Sequence, residues 1–182
     1  MTRFASDIAT IRDHALLDMA DGPVTQAYVA DLSAVITMLN DVLATELVCW
    51  LRYQQHAIVA AGIDHKQIAE QFADHAREEL QHALSIAARI NQLGGSPDFD
   101  PSSLACRSQT AYHTYHDTDL SGMLKENLIG ERIVIQTYQQ IIRWLGADDP
   151  TTRRLVERIL EQEEEHAGDL RDLLARPATA GG

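Results

Sequence analysis

A glutamate stands three residues before a histidine at two places in the chain, as Glu79 and His82 and again as Glu163 and His166. Of the eight histidines, only these two have glutamate at that offset. Residues three apart lie on one face of a helix, so each pair presents a carboxylate and an imidazole side by side. Carboxylates and imidazoles together bind divalent metal ions, so the spacing predicts metal chemistry.

Each pair belongs to a longer repeated set of residues. Glu46 is followed by Tyr53 after 7 residues, by Glu79 after 33 and by His82 after 36. In the second half Glu131 is followed after 7, 32 and 35 residues by Tyr138, Glu163 and His166. The near-equal spacing predicts a duplicated helical hairpin with an approximate two-fold axis.

The four glutamates are predicted to face the inside of a helical bundle, because the flanks of Glu46 and Glu131 are apolar. A buried carboxylate without a partner costs several kcal/mol. Two divalent cations would balance four carboxylates, and two imidazoles would complete the coordination. This donor set suits iron or manganese better than metals that prefer thiolates. The predicted metal ligands are Glu46, Glu79, His82, Glu131, Glu163 and His166.

Residues near these ligands leave alternatives open. Glu126 competes with Glu131 as a ligand, and the repeat favours Glu131 because Tyr138 fits that choice. Tyr53 and Tyr138 either fill the core or donate a hydrogen bond to a ligand carboxylate. Glu78 is expected to face solvent or a neighbouring subunit, because the helix face that holds Glu79 and His82 excludes it.

Helical periodicity and its breaks indicate which elements must position the ligands. Apolar spacing predicts a short helix over 4–19 and long helices near 31–61, 64–90, 119–145 and 150–174. Glycine and proline interrupt residues 94–118, the one long connection, which lets two antiparallel hairpins pack side by side. The predicted fold class is all-α: an N-terminal extension with a short helix over 1–24, a four-helix bundle over 25–176 and a flexible tail over 177–182.

The composition limits the classes of function. The 182 residues carry a net charge of −12, which argues against a nucleic-acid partner bound through its phosphates and favours cations. The two cysteines, Cys49 and Cys106, are too few for a disulfide framework. Because the N-terminus lacks the apolar core of a signal peptide and no apolar run reaches membrane length, a soluble cytoplasmic protein without a membrane partner is expected.

The motifs resemble those of the ferritin-like di-iron superfamily, on its bacterioferritin and Dps-like side. The stretch NDVLATELVCWLRYQQHA is similar to the bacterioferritin first helix, AREELQH to its second and ILEQEEEH to its fourth. The resemblance implies that Glu79 and Glu163 bridge two iron ions, with terminal ligands at Glu46, Glu131, His82 and His166. It also implies an iron oxidoreductase that uses O₂ or H₂O₂ and stores or detoxifies iron in a homo-oligomeric shell of twelve or twenty-four copies.

Some positions depart from particular branches of this superfamily. Leu80 stands where haem-bearing bacterioferritins have methionine, so no haem is expected. The segment PSSLACRS resembles thioferritins, and Cys106 matches one of their two cysteines, whereas Ile133 stands where the other is expected. Cys49 is expected to be a small buried residue rather than a ligand.

Two other functions are open to the same ligands. A di-iron or di-manganese oxidoreductase would remove peroxide or hydroxylate an organic substrate without storing mineral. Hydroxylation needs an apolar pocket beside the metals, and the small residues Ala44 and Gly130 are candidates to leave one. A structural shell protein would use the metal only as a staple. Assembly size and oxygen consumption separate these functions.

Overall fold

The computed structural model describes residues 5–17, 19, 22–60, 65–115 and 119–175. Its helices are α1 (Ile8–Leu17), α2 (Leu32–Val59), α3 (Lys66–Gln92), α4 (Leu104–Arg107), α5 (Leu120–Leu145) and α6 (Pro150–Ala175). The four long helices and the one long crossover between α3 and α5 confirm the predicted all-α bundle. The one-turn helix α4, inside the crossover, was not predicted because its four residues are too few to show periodicity.

Capping residues fix where the long helices begin and end. The Asp31 carboxylate accepts a hydrogen bond from Ala34 N at 3.0 Å, and the Asp119 carboxylate accepts one from Gly122 N at 2.7 Å. Gly146 ends α5 with a φ of +51°, which glycine adopts without a steric penalty. Pro150 opens α6, where a missing backbone N–H costs nothing.

The long helices form two antiparallel hairpins, α2 with α3 and α5 with α6, which meet through contacts of α2 with α5 and of α3 with α6. Buried apolar residues form two clusters at different levels of the bundle. The larger includes Leu39, Ile86 and Leu145, and the smaller includes Phe72, Met123 and Leu170. On α3, α5 and α6 the predicted ligands lie in sequence between the two clusters, and on α2 Glu46 lies among residues of the larger cluster, so the ligands form a polar layer enclosed by apolar packing.

The crossover is held against α2 by polar contacts. Arg107 donates to Asn40 O at 2.7 Å, and Gln109 N donates to the Thr45 hydroxyl at 3.0 Å. Among the described parts of the chain, α2 is the one helix long and apolar enough to cross a membrane by length and composition. It carries the buried side chains of Glu46 and Arg52 and packs against α3, α4 and α5, and about half of its apolar window (56%) is buried in the bundle.

The N-terminal helix is shorter than predicted and lies outside the packed core. Every described residue of α1 is exposed, including Ile8 and Leu17. The domain boundaries at residues 24 and 176 stay predictions, and the predicted tail over 177–182 lies outside the described residues.

Candidate metal centre

The six predicted ligands lie together in two overlapping groups. One group consists of Glu46, Glu79, His82 and Glu163, and the other of Glu79, Glu131, Glu163 and His166. Within each group one ligand atom per residue lies within 4.8 Å of all the others. All six side chains are buried, with at most 3% of any residue exposed. Glu126 belongs to neither group and instead faces His113 in the crossover, at 3.5 Å.

Glu79 and Glu163 belong to both groups, so they lie between two positions that each suit a cation. Glu46 and His82 flank one position, and Glu131 and His166 flank the other. The arrangement has the approximate two-fold symmetry that the repeated spacing predicted. The bridging and terminal roles themselves stay predictions, and this geometry supports them.

Both histidines point Nδ1 toward the carboxylates. His82 Nδ1 lies 3.0 Å from Glu163 Oε1 and 3.4 Å from Glu46 Oε2. His166 Nδ1 lies 3.3 Å from Glu163 Oε2 and 3.5 Å from Glu79 Oε1. Each imidazole therefore faces a position between a shared carboxylate and a second glutamate.

Polar atoms without a hydrogen-bond partner concentrate at this layer. Of the fourteen such buried side-chain atoms among the described residues, seven belong to the predicted ligands: Glu46 Oε2, Glu79 Oε1, Glu131 Oε2, both oxygens of Glu163 and Nδ1 of His82 and His166. Each unsatisfied buried polar group costs about 1–3 kcal/mol, so a native fold rarely gathers so many in one place. Cations at the two positions would coordinate these atoms, and a set of carboxylate oxygens and imidazole nitrogens fits iron or manganese.

The carboxylates perturb one another's ionisation. Burial, followed by the charge of Glu163, raises the pKa of Glu79 and of Glu131 well above the usual range. Burial opposes charge on the histidines, but hydrogen bonds and charges of nearby carboxylates outweigh it and raise the pKa of His82 to about 11 and of His166 to about 9. Burial would raise the pKa of Glu163, but the close approach of both imidazoles, at 3.0 and 3.3 Å, lowers it instead. Protons thus neutralise the metal-free centre, and cations must displace them.

The two tyrosines contact ligands of the opposite hairpin. Tyr53 Oη, on α2, donates to Glu131 Oε1 on α5, and Tyr138 Oη, on α5, donates to Glu46 Oε1 on α2. Of the two roles that the sequence left open, the geometry fits the hydrogen-bond donor. The other carboxylate oxygen of each glutamate is thereby left free for a cation.

The outward nitrogens of the histidines have partners that the sequence analysis missed. His166 Nε2 lies 2.6 Å from Glu78 Oε2, and His82 Nε2 lies 3.0 Å from Gln162 Oε1. Glu78 is half-exposed, as predicted, but its carboxylate also holds His166, which was not predicted. Glu78 and Gln162 each directly precede a shared glutamate. A polar residue at that position in both motifs was the signal that could have found them.

A polar recess of about 360 Å³ between α3 and α6 reaches His166 from the surface. Its lining includes the acidic residues Asp74, Glu78, Glu165 and Asp169. His75, which fitted no ligand pattern in the sequence, also lines the recess, and its ring stacks on that of His166 with centroids 4.1 Å apart. An acidic recess at a buried histidine suits the passage of cations.

The cysteines take no part in either ligand group of the described residues. Cys49 is buried, and burial raises the pKa of its thiol to about 12, so it stays protonated. Cys106 is exposed, and both cysteines are free thiols.

Comparisons with known proteins agree with the resemblance in the motifs. The model of the ferritin-like domain family matches residues 36–179. A nutrient stress-induced DNA-binding protein of Nostoc sp. is 32% identical over 142 residues, which are 76% of each chain. A bacterioferritin of Desulfovibrio desulfuricans is 29% identical over 133 residues, 72% of this chain and 69% of the relative.

Solved structures include a dodecameric thioferritin, the bacterioferritin-related protein of Bacteroides fragilis. It is 34% identical, with a TM-score of 0.75 over 79% of this chain and 86% of that one. The Dps of Thermosynechococcus elongatus shares the fold at 19% identity, with a TM-score of 0.74 over 82% of this chain and 96% of that one. Because the family model covers most of the chain and the fold agrees throughout the bundle, the protein belongs to the ferritin-like family.

Proposed function

We propose that the protein oxidises Fe(II) at this centre and stores or detoxifies the product in a homo-oligomeric shell. The proposal rests chiefly on the sharing of Glu79 and Glu163 by two ligand groups. Two iron ions held beside the same carboxylates can give their electrons to one oxidant molecule. The proposed ligands are the six residues Glu46, Glu79, His82, Glu131, Glu163 and His166, with iron as the native metal and manganese as an alternative occupant.

Iron is the substrate in this scheme, and the electrons balance in pairs. Two Fe(II) ions give two electrons to O₂, which takes up two protons and leaves as H₂O₂. With H₂O₂ as the oxidant, the same two electrons and two protons give two molecules of water. In both cases two Fe(III) ions result. The protein's part is to hold the two ions side by side and to supply a dry site in which carboxylates balance their charge.

Substrate would reach the centre through the acidic recess between α3 and α6. The net charge of −12 favours cations at the surface, and Glu78 and Asp169 would guide them toward His166. Since Glu78 accepts a hydrogen bond from His166, its carboxylate also fixes the ring with Nδ1 toward the metal.

A shell of many copies is supported by exposed apolar residues on the long helices. Leu84, Ile129 and Trp144 are about half-exposed in the single chain. Such residues are typical of surfaces that a partner subunit covers. The thioferritin of Bacteroides fragilis is described as dodecameric, which favours twelve copies over twenty-four for this chain.

The proposed function excludes some partners and reactions that relatives or similar metal sites have. The Nostoc relative is named DNA-binding, but we propose no nucleic-acid partner, because a charge of −12 per chain repels phosphates. We also propose a cytoplasmic protein without haem. Hydroxylation of an organic substrate is not favoured, because the guanidinium of Arg52 fills the space beside Gly130 that would have formed its pocket.

Aerobic titration of the metal-free protein with Fe(II) tests this function. Ultraviolet absorbance should break at two irons per chain, and iron uptake should continue far beyond that point. Glu79→Ala and Glu163→Ala should lose the break, whereas the exposed neighbour Glu164→Ala should keep it. Uptake that stops at the break would leave a di-metal oxidoreductase without storage. A mass near that of one chain would exclude the shell.

A further inference from the structure

Arg52 is a buried positive charge on α2, with 1% of the residue exposed. Among the described residues, its guanidinium donates only to neutral acceptors. Nε donates to Asn127 Oδ1 at 3.0 Å, and Nη1 donates to Ala111 O at 3.0 Å and to Thr110 Oγ1 at 3.4 Å. Nη2 lies 3.5 Å from Cys49 Sγ. The charge is therefore solvated by dipoles and balanced by no direct counter-ion in this set of contacts.

No carboxylate in the described parts of the chain lies within ion-pair distance of Arg52. Buried charges in proteins are normally paired, because an isolated one is costly to desolvate. Burial disfavours the charged guanidinium here too, yet its pKa lies above the ordinary value because electrostatic interactions, first with Cys49 and Tyr53 and then with Glu131 and Glu79, outweigh the burial. Two of these groups, Glu131 and Glu79, are predicted metal ligands, so the charge of Arg52 interacts with the metal centre.

The guanidinium lies beside the ligands of both hairpins. Nη2 occupies the space next to Gly130 where a Cβ atom would collide with it, and Gly130 directly precedes the ligand Glu131. Asn127 stands one helical turn before Glu131 on the same helix. On α2, Cys49 stands three residues after Glu46 and contacts the guanidinium. Arg52 thus bridges α2 and α5 next to the two terminal glutamates.

The charge count at the centre depends on the oxidation state of the iron. Four carboxylates balance two divalent cations, so the pair of Fe(II) ions leaves no excess charge. After each ion loses one electron, two excess positive charges lie near a fixed guanidinium. Like charges in a partly desolvated site repel strongly, so the oxidised pair is opposed more than the reduced pair.

We propose that Arg52 is a positioning residue that selects against trivalent ions at the centre and so favours the departure of oxidised iron. This inference rests on the proposed iron oxidation, because it assigns a reason for the product to leave. A site built to retain iron as a permanent cofactor would gain from a neutral or acidic residue at this place. The positive charge of Arg52 instead favours a centre that releases iron after oxidation.

Redox-inert ions test the selection without any oxidation step. Co(II) stands for Fe(II), and Ga(III), which has the charge of Fe(III), stands for the product. Competition with nitrilotriacetate measures the affinity of each ion for the metal-free protein. Arg52→Gln keeps a polar side chain and removes the charge, and it should raise the affinity for Ga(III) relative to Co(II) by about tenfold. Arg52→Lys keeps the charge, and its ratio should stay close to that of the wild type.

A second variant covers the chance that loss of the arginine disturbs the packing. Asn127→Asp has nearly the same shape, and Asn127 Nδ2 is buried without a hydrogen-bond partner, so the exchange removes an unsatisfied donor. The new carboxylate would pair with Arg52 and cancel its field. This variant should shift the Ga(III) to Co(II) ratio in the same direction as Arg52→Gln while the guanidinium stays in place.

Three results would overturn the inference: an unchanged ratio in Arg52→Gln, an unchanged ratio in Asn127→Asp, or an equal shift in Arg52→Lys. The last result would mean that Arg52 only ties the crossover to the bundle. Failure of the proposed function gives a different signature. In that case wild-type protein either fails to bind two Co(II) ions or leaves Fe(II) unoxidised, whatever the ratios in the variants are.

Discussion

Tyr53 and Tyr138 each donate to the glutamate of the opposite hairpin, so mutation of one tyrosine should weaken one metal position and spare the other. Tyr53→Phe removes the hydroxyl that donates to Glu131, and it leaves the tyrosine that serves Glu46 untouched. A hydrogen bond to a charged acceptor contributes about 1.5–3 kcal/mol. We therefore expect the position flanked by Glu131 and His166 to lose about 10- to 100-fold in cation affinity. The position flanked by Glu46 and His82 should keep its affinity.

Single-histidine variants reveal which position is affected. His82→Ala removes the imidazole of one position and leaves His166 at the other position, next to Glu131. In that background Tyr53→Phe should weaken the remaining Co(II) binding by about 10- to 100-fold in a calorimetric titration, and Tyr138→Phe should change it little. In the His166→Ala background the two tyrosines should exchange these effects.

The exposed Tyr112 supplies a matched control, since Tyr112→Phe removes a hydroxyl that contacts neither ligand group of the described residues. Weaker binding in Tyr138→Phe, rather than in Tyr53→Phe, in the His82→Ala background would refute the assignment of each tyrosine to the opposite hairpin. Each tyrosine would then serve the glutamate of its own hairpin, as their shared helix face alone suggests. Equal losses from both changes would refute separate positions altogether.

Three further outcomes are expected. In the folded metal-free protein the pKa values of His82 (about 11) and His166 (about 9) lie above the ordinary 6.5. The stability that protonation of these two histidines contributes is therefore complete below pH 6.5 and is lost as pH rises. The free energy of unfolding should fall by about 1.4 kcal/mol per pH unit for His82 alone between pH 7 and 9. A thermal unfolding midpoint of the metal-free protein that stays constant between pH 7 and 9 would contradict this expectation. Glu78→Ala should lower Co(II) affinity about 10- to 100-fold by releasing His166, and an effect no larger than that of an exposed-glutamate variant would count against it. Asp149→Ala should cost about 3–5 kcal/mol in urea unfolding because it leaves Arg89 buried without its partner, and Asp149→Asn should cost less.

The ligand set was predictable because it depends on spacing within helices. Glu79 and His82 share a face whatever the tertiary packing, and the second copy at Glu163 and His166 made chance an inadequate explanation. The long helices were predictable for the same reason, since apolar periodicity and capping residues are local signals. The burial of Glu46 and Glu131 followed from their apolar flanks, whereas Glu79 and Glu163 have polar and charged neighbours in sequence.

Contacts between the hairpins were not predictable from one sequence. The crossing of Tyr53 to Glu131, and of Glu78 to His166, depends on the relative height and rotation of two hairpins, which no local pattern encodes. Arg52 was missed because arginine is seldom buried, and its acceptors include two residues of an irregular crossover. Gly130 attracted notice as a small residue, but the space that it leaves holds a side chain of this chain.

Anomalous scattering from crystals soaked in Fe(II) without oxygen would test the central claim most directly. We predict two iron peaks per chain, one between Glu46 and His82 and one between Glu131 and His166, with Glu79 and Glu163 coordinating both. A single peak, or two peaks that share neither carboxylate, would contradict a paired centre and the two-electron oxidation built on it.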